Sequence, residues 1–272
     1  MTKIKAGVIG HPIAQSKSPL IHGYWLERYG IDGEYLRYDI APDNLRDEVM
    51  RLRDTGLAGF NVTMPHKQAI MEICTTLNNE ATRIGAVNTV VFYPNGEIEG
   101  RNTDAYGFLE NAKESQPGFN WKSGPSLVLG AGGAARAILF ALKRDGVTDI
   151  RIANRTINRA EELAEEFGAT VYDWDEKEKA LTGAASLINT TSLGMTGKDK
   201  LDIDLSDLQA DALVYDIVYV PLMTDLLLRA KENNLRTVTG IGMLLHQARP
   251  GFEAWFGKKP EVTDELRERI LA

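Results

Sequence analysis

A glycine-rich loop between a predicted strand and a predicted helix constrains the fold of this chain more than any other feature. Residues 126–129 predict a short buried strand, and the segment Gly130-Ala131-Gly132-Gly133-Ala134 follows it directly. Glycines at such a turn let the backbone approach a phosphate, and the helix that follows offers free N–H groups and its positive dipole end. Close packing of a helix on a strand would also favour these small residues. The context indicates a dinucleotide site, with all five residues as candidate cofactor-binding positions.

The remainder of the second half repeats this strand-then-helix pattern. Further strands are predicted near 149–153, 169–172, 186–190, 213–217 and 236–238, and a helix over 157–167. Such alternation is typical of an α/β protein with a parallel sheet. Loop-forming Gly, Pro and Ser residues at 116–125 separate this region from what precedes it.

The first half predicts a different sheet. Strands are expected at 3–10, 35–40 and 59–63, and Asn95-Gly96 predicts a hairpin between 87–93 and 97–101. Helices are predicted over Ser18–Tyr29 with Ser18 as its cap, over about 43–54, and from Pro65.

From Gly240 onward the pattern is helical. We therefore predict an α/β protein of two domains. Residues 1–103 with 240–272 form an N-terminal mixed-sheet substrate-binding domain, on which the C-terminal helices pack back. Residues 104–239 form a Rossmann-like cofactor-binding domain.

Composition narrows the function. A net charge of −7 gives no general attraction to nucleic acid, so no nucleic-acid partner is expected. One cysteine, Cys74, excludes an internal disulfide. No apolar run approaches membrane-spanning length and no signal peptide is evident, so a soluble, cytoplasmic protein without a membrane partner is expected. The four histidines lack metal-ligand spacing, and no metal is expected.

The end of the 149–153 strand indicates which dinucleotide binds. An NAD site would place a carboxylate there for the ribose hydroxyls, whereas this chain has Asn154-Arg155-Thr156, with Arg159 one helical turn later. Two arginines four positions apart can face one phosphate, and Thr156 can add a hydroxyl and cap the helix. Two solvated surface arginines would give the same pattern. We predict NADP as the cofactor.

Short polar side chains mark the strand ends and turns of the first half. They occur in Ser16-Lys17-Ser18, in Asn61-Val62-Thr63, at Lys67, in Asn88-Thr89 and in Asn102-Thr103-Asp104. Capping explains each of them singly. Together, at one edge of a sheet, they suit a ligand that carries hydroxyls and a carboxylate.

These segments resemble the successive motifs of the shikimate dehydrogenase family. The motifs are Gly10-His11-Pro12-Ile13-x-x-Ser16-x-Ser18-Pro19-x-x-His22, Asn61-Val62-Thr63-x-Pro65-x-Lys67, Gly85-Ala86-Val87-Asn88-Thr89, Gly100-x-Asn102-Thr103-Asp104, the glycine loop, Asn154-Arg155-Thr156-x-x-Arg159-Ala160, Asn189-Thr190-Thr191-Ser192-x-Gly194-Met195, Asp216-x-x-Tyr219-x-Pro221-x-x-Thr224 and Gly240-x-x-Met243-Leu244-x-x-Gln247. They span nearly the whole chain in the family's order.

The resemblance implies NADPH-dependent reduction of 3-dehydroshikimate to shikimate, a step toward chorismate and the aromatic amino acids. It implies that Lys67 is the catalytic acid/base, paired with Asp104. It places the substrate carboxylate on Ser16, Ser18 and Tyr219, and the ring hydroxyls on Thr63, Asn88, Asp104 and Gln247. It adds Thr191, Ile217, Gly240 and Met243 to the cofactor site.

Two departures from the family pattern, Gly23 and Thr190, remove no implied ligand. Two alternatives stay open. One is a quinate or quinate/shikimate dehydrogenase that uses NAD(P), and the other is a catalytically silent NADP-binding regulator. The sequence is compatible with a monomer or a homodimer.

Overall fold

The computed structural model describes residues 3–272, which divide into two compact units. The first comprises the chain up to Thr103 together with Leu245–Ala272, and the second comprises Asp104–Leu244. The sequence placed the return to the first unit at residue 240, whereas the division lies after Leu244, inside a helix.

The described residues form twelve strands and ten α-helices, which turns, loops and short 3-10 helices connect. The strands are β1 (Ile4–Gly10), β2 (Gly33–Asp39), β3 (Gly59–Val62), β4 (Thr76–Leu77), β5 (Thr89–Phe92), β6 (Ile98–Arg101), β7 (Ser126–Leu129), β8 (Ile150–Asn154), β9 (Thr170–Asp173), β10 (Ser186–Asn189), β11 (Leu213–Asp216) and β12 (Arg236–Val238). The helices are α1 (Ser18–Tyr29), α2 (Leu45–Asp54), α3 (Asn79–Ile84), α4 (Asp104–Ser115), α5 (Gly133–Arg144), α6 (Ile157–Phe167), α7 (Lys177–Leu181), α8 (Asp225–Glu232), α9 (Gly240–Phe256) and α10 (Asp264–Leu271). No helix within residues 3–272 is long and apolar enough to cross a membrane.

The sheet of the first unit mixes strand directions, as predicted. Its order is β2-β1-β3-β5-β6-β4. Strands β1, β2 and β3 are parallel, and the hairpin β5–β6 begins with a strand antiparallel to β3. One apolar cluster lies against this sheet, with Ile9, Val49, Phe60, Ile70 and Val90 at its centre. Burial of such side chains is the main driving force for folding this unit.

The C-terminal helices pack on the first unit, and an aromatic cluster holds them there. Trp25 of α1 contacts Phe252 of α9 edge-on, with 5.3 Å between ring centroids. The indole N–H of Trp25 donates to the carbonyl of Glu261 at 2.9 Å, and the Tyr24 hydroxyl lies 2.8 Å from that of Thr263. The predicted return of the chain to the first unit is confirmed.

The sheet of the second unit is parallel throughout, in the order β12-β11-β10-β7-β8-β9. Counted along the chain, its strands have the 3-2-1-4-5-6 arrangement of a Rossmann fold. The order reverses between β7 and β10, and ligands of such sheets bind at the carboxyl ends of the strands there. The Rossmann-like prediction is confirmed, and the glycine loop lies at this reversal point.

Three predictions of local structure were wrong. Ser18 is the first residue of α1 rather than its cap, since Lys17 occupies the N-cap position and its side chain makes no capping hydrogen bond. Pro65 opens a series of turns and a short 3-10 helix, Ala69–Glu72, instead of an α-helix. Thr156 occupies the N-cap position of α6, but its hydroxyl makes no capping hydrogen bond. In each case the residue type is one favoured at helix starts, but the residue type alone determines neither where a helix begins nor which hydrogen bond the side chain makes.

Candidate functional site

A cavity of about 340 Å³ opens at the carboxyl ends of the central strands of the second unit. It is lined by Gly130, Ala131, Gly132, Asn154, Arg155, Arg159, Trp174, Thr190, Thr191, Ser192 and Leu193. The loops after β7, β8, β9 and β10 contribute most of these residues. The structure thus brings together seven predicted cofactor positions: Gly130, Ala131, Gly132, Asn154, Arg155, Arg159 and Thr191.

The glycine loop has the conformation that its sequence suggested. Gly130 has φ +104°, a value that favours glycine, and its amide donates to the carbonyl of Ala153 at 2.9 Å. Apart from the adjoining chain and the backbone of α5 itself, no atom of residues 3–272 lies within 4 Å of the positions where Gly132 and Gly133 would carry a Cβ. Gly132 is the N-cap of α5 and has no side chain with which to cap that helix. The first turn of α5 is therefore open to an anion, which its backbone N–H groups can bind.

Arg155 and Arg159 are both exposed in the wall of this cavity. Neither guanidinium has a hydrogen-bond or ion-pair partner among residues 3–272. Asn154 ends β8 in place of a carboxylate, and its amide group donates to the carbonyl of Thr156 at 2.8 Å. Two unpaired cations beside an open helix start form a site suited to a doubly charged phosphate.

Six other predicted cofactor residues of the second unit do not line the cavity, namely Gly133, Ala134, Thr156, Ile217, Gly240 and Met243. Gly133 and Ala134 begin α5. Gly240 has a packing reason to be glycine, since a Cβ there would lie 2.2 Å from the carbonyl oxygen of Ile217. Met243 is buried.

Four lining residues were not predicted as cofactor ligands: Trp174, Thr190, Ser192 and Leu193. All follow the ends of β9 and β10, so their place after strands near the glycine loop was the available signal. The Thr190 hydroxyl donates to the carbonyl of Leu129 at 2.6 Å and ties the two loops of the reversal point together.

In the first unit, hydrogen bonds hold several of the predicted substrate-binding residues. Asn88 is buried, and its Oδ1 accepts from the Thr103 amide at 3.0 Å. The Thr103 hydroxyl lies 2.8 Å from the Gln247 carbonyl and 3.1 Å from Asn88 Oδ1, and it can donate its one proton to either of these two acceptors. The Asn88 amide group lies 3.4 Å from Gln247 Oε1. Asn88 and Gln247 therefore lie together, and Thr103 fixes the backbone just before Asp104.

Ser16 and Ser18 are adjacent at the start of α1. Ser16 Oγ accepts from the Ser18 amide at 3.3 Å. The guanidinium of Arg37 donates twice to the Ser16 carbonyl, at 3.1 Å and 2.6 Å, and so pins this turn. Arg37 was not predicted. Its role depends on β2 lying beside β1, which sequence spacing does not reveal.

The remaining predicted residues belong to both units. Thr63 follows β3, and half-buried Lys67 lies in the turns after it, where its carbonyl accepts from the Val87 amide at 2.7 Å. Asp104 is buried at the start of α4 in the second unit. Tyr219 follows β11 in that unit, and burial raises the pKa of its hydroxyl.

His22 is buried, and the predicted chemistry assigns it no role. Its ring stacks on Tyr35 with 4.0 Å between centroids. Neither ring nitrogen has a hydrogen-bond partner among residues 3–272. Burial lowers the pKa of His22 to about 3, so this side chain is a neutral core ring. Burial also raises the pKa of the Cys74 thiol to about 12, as fits an inert, packed side chain.

Comparison with known proteins accounts for nearly the entire chain. Residues 8–90 match the shikimate dehydrogenase substrate binding domain, residues 110–220 the shikimate / quinate 5-dehydrogenase domain, and residues 240–271 the shikimate 5′-dehydrogenase C-terminal domain. A shikimate dehydrogenase (NADP(+)) of Paramagnetospirillum magneticum is 53% identical over 269 residues, covering 98% of each chain.

Solved structures of similar proteins point to the same family. A shikimate 5-dehydrogenase from Thermus thermophilus, in complex with NADP(H) and shikimate, is 37% identical with a TM-score of 0.86 and covers 98% of each chain. A quinate dehydrogenase from Corynebacterium glutamicum in complex with NAD is 31% identical with a TM-score of 0.91 and covers 99% of each chain. From its domain matches and its relatives, this chain belongs to the shikimate dehydrogenase family.

Proposed function

We propose that this chain catalyses the NADPH-dependent, reversible reduction of 3-dehydroshikimate to shikimate. The observation that carries the proposal is the cavity of the second unit, where Arg155 and Arg159 stand unpaired among residues 3–272, beside the open start of α5. Family membership supplies the substrate class. The geometry favours NADP within that family, because NADP has a 2′-phosphate and NAD has none.

The residues present fit this dinucleotide. The amides of Gly132, Gly133 and Ala134 would hold the pyrophosphate, and the space beside Gly132 and Gly133 leaves room for it. Arg155, Arg159 and Asn154 would hold the adenosine phosphate. When bound, NADPH supplies the hydride for the reduction. Thr156, Thr191, Ile217, Gly240 and Met243 belong to the same proposal.

Ser16, Ser18 and Tyr219 would donate hydrogen bonds to the substrate carboxylate. Thr63, Asn88, Asp104 and Gln247 would bind the ring hydroxyls. The support in the structure is the network among Asn88, Thr103 and Gln247, which holds the Asn88 side chain and the Gln247 backbone and brings the two amide side chains to 3.4 Å. Groups held in place before the ligand arrives lose less entropy when it binds.

Lys67 and Asp104 would supply the acid–base chemistry. The carbonyl oxygen that is reduced must gain a proton, and the Lys67 ammonium carries one. In the reverse direction, the amine takes the proton back from the hydroxyl. The Asp104 carboxylate would keep the ammonium oriented and bind a neighbouring hydroxyl. Such catalysis typically contributes about 10²–10⁴ in rate.

The test is an assay of the purified chain with two cofactors and two substrate pairs. We expect NADPH oxidation with 3-dehydroshikimate and NADP⁺ reduction with shikimate, both much faster than with NADH or NAD⁺ and faster than with quinate. Preference for quinate or for NAD would establish the quinate dehydrogenase alternative. NADPH binding without turnover of any of these substrates would establish the silent regulator. A cytoplasmic location, a monomeric or homodimeric state and the functional names of the two domains stay predictions.

A further inference from the structure

A buried carboxylate at the end of β11 lies at the centre of the loops that follow β10 and β11. Asp216 is fully buried, and among residues 3–272 no Lys or Arg pairs with it. Three donors reach it instead. Oδ1 accepts from the Val218 amide and from Asn189 Nδ2, each at 3.0 Å, and Oδ2 accepts from the Thr224 hydroxyl at 2.7 Å.

Asn189 extends this network into the wall of the cofactor cavity. Its Oδ1 accepts from the amide of Thr191 at 3.0 Å and from the Thr191 hydroxyl at 2.7 Å. Its Nδ2, which also donates to Asp216, reaches the carbonyl of Leu193 at 3.1 Å. Thr191 and Leu193 both line the cavity, so one amide side chain shapes this wall and bonds to Asp216.

Backbone hydrogen bonds join the same two loops. The Ile217 amide donates to the Asn189 carbonyl at 3.1 Å, and the Thr196 amide donates to the Val220 carbonyl at 2.9 Å. Tyr219, the proposed donor to the substrate carboxylate, lies between these two connections. The loop that bears Tyr219 and the loop that lines the cofactor cavity are therefore linked at several points.

A carboxylate accepts all three of these bonds with its two oxygens. An amide side chain at this position would keep one acceptor oxygen and present an NH2 group to the third partner, and of the three partners only the Thr224 hydroxyl could accept from it. Burial raises the pKa of Asp216 to about 6, so the group is ionised at neutral pH and can accept all three bonds.

We propose that Asp216 is a positioning residue that holds the cavity-lining loop 190–193 and the Tyr219-bearing loop 217–220 as one body, so that a single buried group sets the affinity for both cofactor and substrate. This inference rests on the proposed function, because that proposal places Tyr219 on the substrate. If Asp216 had a purely structural role, replacing it would lower only the stability of the fold. If Asp216 positions the two loops, replacing it also weakens cofactor and substrate binding by those molecules that remain folded.

The experiment compares Asp216→Ala and Asp216→Asn with the wild type. We would measure NADP⁺ binding by calorimetry and the KM for shikimate by steady-state kinetics, both well below each variant's unfolding temperature. Asp216→Ala is expected to raise both constants by about tenfold, the effect of losing a hydrogen bond to a charged group. Asp216→Asn keeps one acceptor oxygen and is expected to raise both by about threefold.

Ser186→Ala is the matched control. Ser186 lies at the start of β10, is equally buried, and its hydroxyl donates to Ser126 Oγ at 2.8 Å, on a different strand from those that carry the two loops' network. It should lower the unfolding temperature and leave both constants unchanged. If Asp216→Ala does not fold, the NADP⁺ dissociation constant and the shikimate KM of Asp216→Asn test the proposal. Wild-type constants in a folded Asp216 variant would overturn the proposal, as would a rise in one constant alone.

Failure of the proposed function would look different. A wild-type chain that binds NADP⁺ but does not oxidise shikimate contradicts the proposed reaction. The NADP⁺ constants of the Asp216 variants would still show whether Asp216 holds the cavity wall.

Discussion

A Cβ atom on Gly130 would lie 2.6 Å from the hydroxyl oxygen of Thr190, on the neighbouring loop of the cofactor cavity. The positive φ of Gly130 adds a second penalty for any other residue. At Gly132, by contrast, a Cβ would have no contact within 4 Å among residues 3–272 beyond the adjoining chain, and φ is −97°. Packing and backbone conformation thus require glycine at position 130, whereas neither requires it at position 132.

Alanine substitutions at the two positions distinguish a structural requirement for glycine from a requirement for cofactor binding. Gly132→Ala is expected to leave the unfolding temperature unchanged but to weaken NADPH binding at least about tenfold, because the methyl group would occupy the space for the pyrophosphate. Gly130→Ala is expected to lower both stability and affinity. Calorimetric titration and thermal unfolding measure the two effects. Wild-type affinity in Gly132→Ala would mean that the pyrophosphate does not lie there.

The preference for NADPH over NADH should depend on Arg155. Losing one charge-assisted hydrogen bond costs about 1.5–3 kcal/mol, so Arg155→Ala should weaken NADPH binding by about one to two orders of magnitude. NADH binding should change little. Arg236→Ala is the control, since this exposed arginine is on β12 at the opposite edge of the same sheet. Equal weakening of NADPH and NADH in Arg155→Ala would contradict the 2′-phosphate assignment.

Local patterns were enough to predict the elements that flank the proposed cofactor site. Helix α6 begins and ends at the predicted residues, Ile157 and Phe167, and β7 spans the predicted 126–129. The residues proposed to bind the phosphates lie next to these two elements in sequence, so local spacing was sufficient to propose them. Trp174 was missed because its place in the cavity depends on β9 pairing with β8, a tertiary contact.

Substrate affinity should depend on Ser16. Removing its hydroxyl in Ser16→Ala is expected to raise the KM for shikimate by about tenfold, the cost of one hydrogen bond to a carboxylate. NADP⁺ affinity should not change. Thr82→Ala, which removes an exposed hydroxyl of the same unit, provides the control. An unchanged KM in folded Ser16→Ala would exclude Ser16 from the substrate site.

Burial of His22 predicts a pH dependence of stability. Its pKa is lowered from 6.5 to about 3, so below pH 6.5 the unfolded chain binds a proton that the folded chain does not. Titration of His22 therefore leaves the free energy of unfolding unchanged above about pH 6.5 and lowers it by a few kcal/mol as the pH falls toward 3. His22→Phe keeps a stacking ring and should flatten this acid slope in urea unfolding measurements between pH 4 and 7. Parallel slopes for the two proteins would show that His22 does not titrate in this way.

Buried polar networks could not be predicted from the sequence. The pairing of Asn88 with Gln247 joins residues far apart in the chain, and the three donors to Asp216 come from two different strand ends and a helix start. Similarly, Pro65 suggested a helix because proline suits a first turn, yet the chain there forms turns that carry Lys67. Residue types indicated the chemistry, and the tertiary fold decided the partners.

Lys67 and Asp104 should act as one unit in catalysis. If so, the double variant Lys67→Ala/Asp104→Ala should have nearly the same kcat as the poorer single variant. Losses that multiply would indicate two independent roles. Steady-state kinetics of the four proteins distinguishes the two cases.

If Lys67 donates the proton when 3-dehydroshikimate is reduced, kcat of the Lys67→Ala variant with NADPH should show it. We expect kcat to fall by about 10²–10⁴ while the NADPH dissociation constant stays at the wild-type value. Lys259→Ala, an exposed lysine of the same unit, should retain full activity. A Lys67→Ala protein that turns over 3-dehydroshikimate at nearly the wild-type rate would show that Lys67 is not the proton donor.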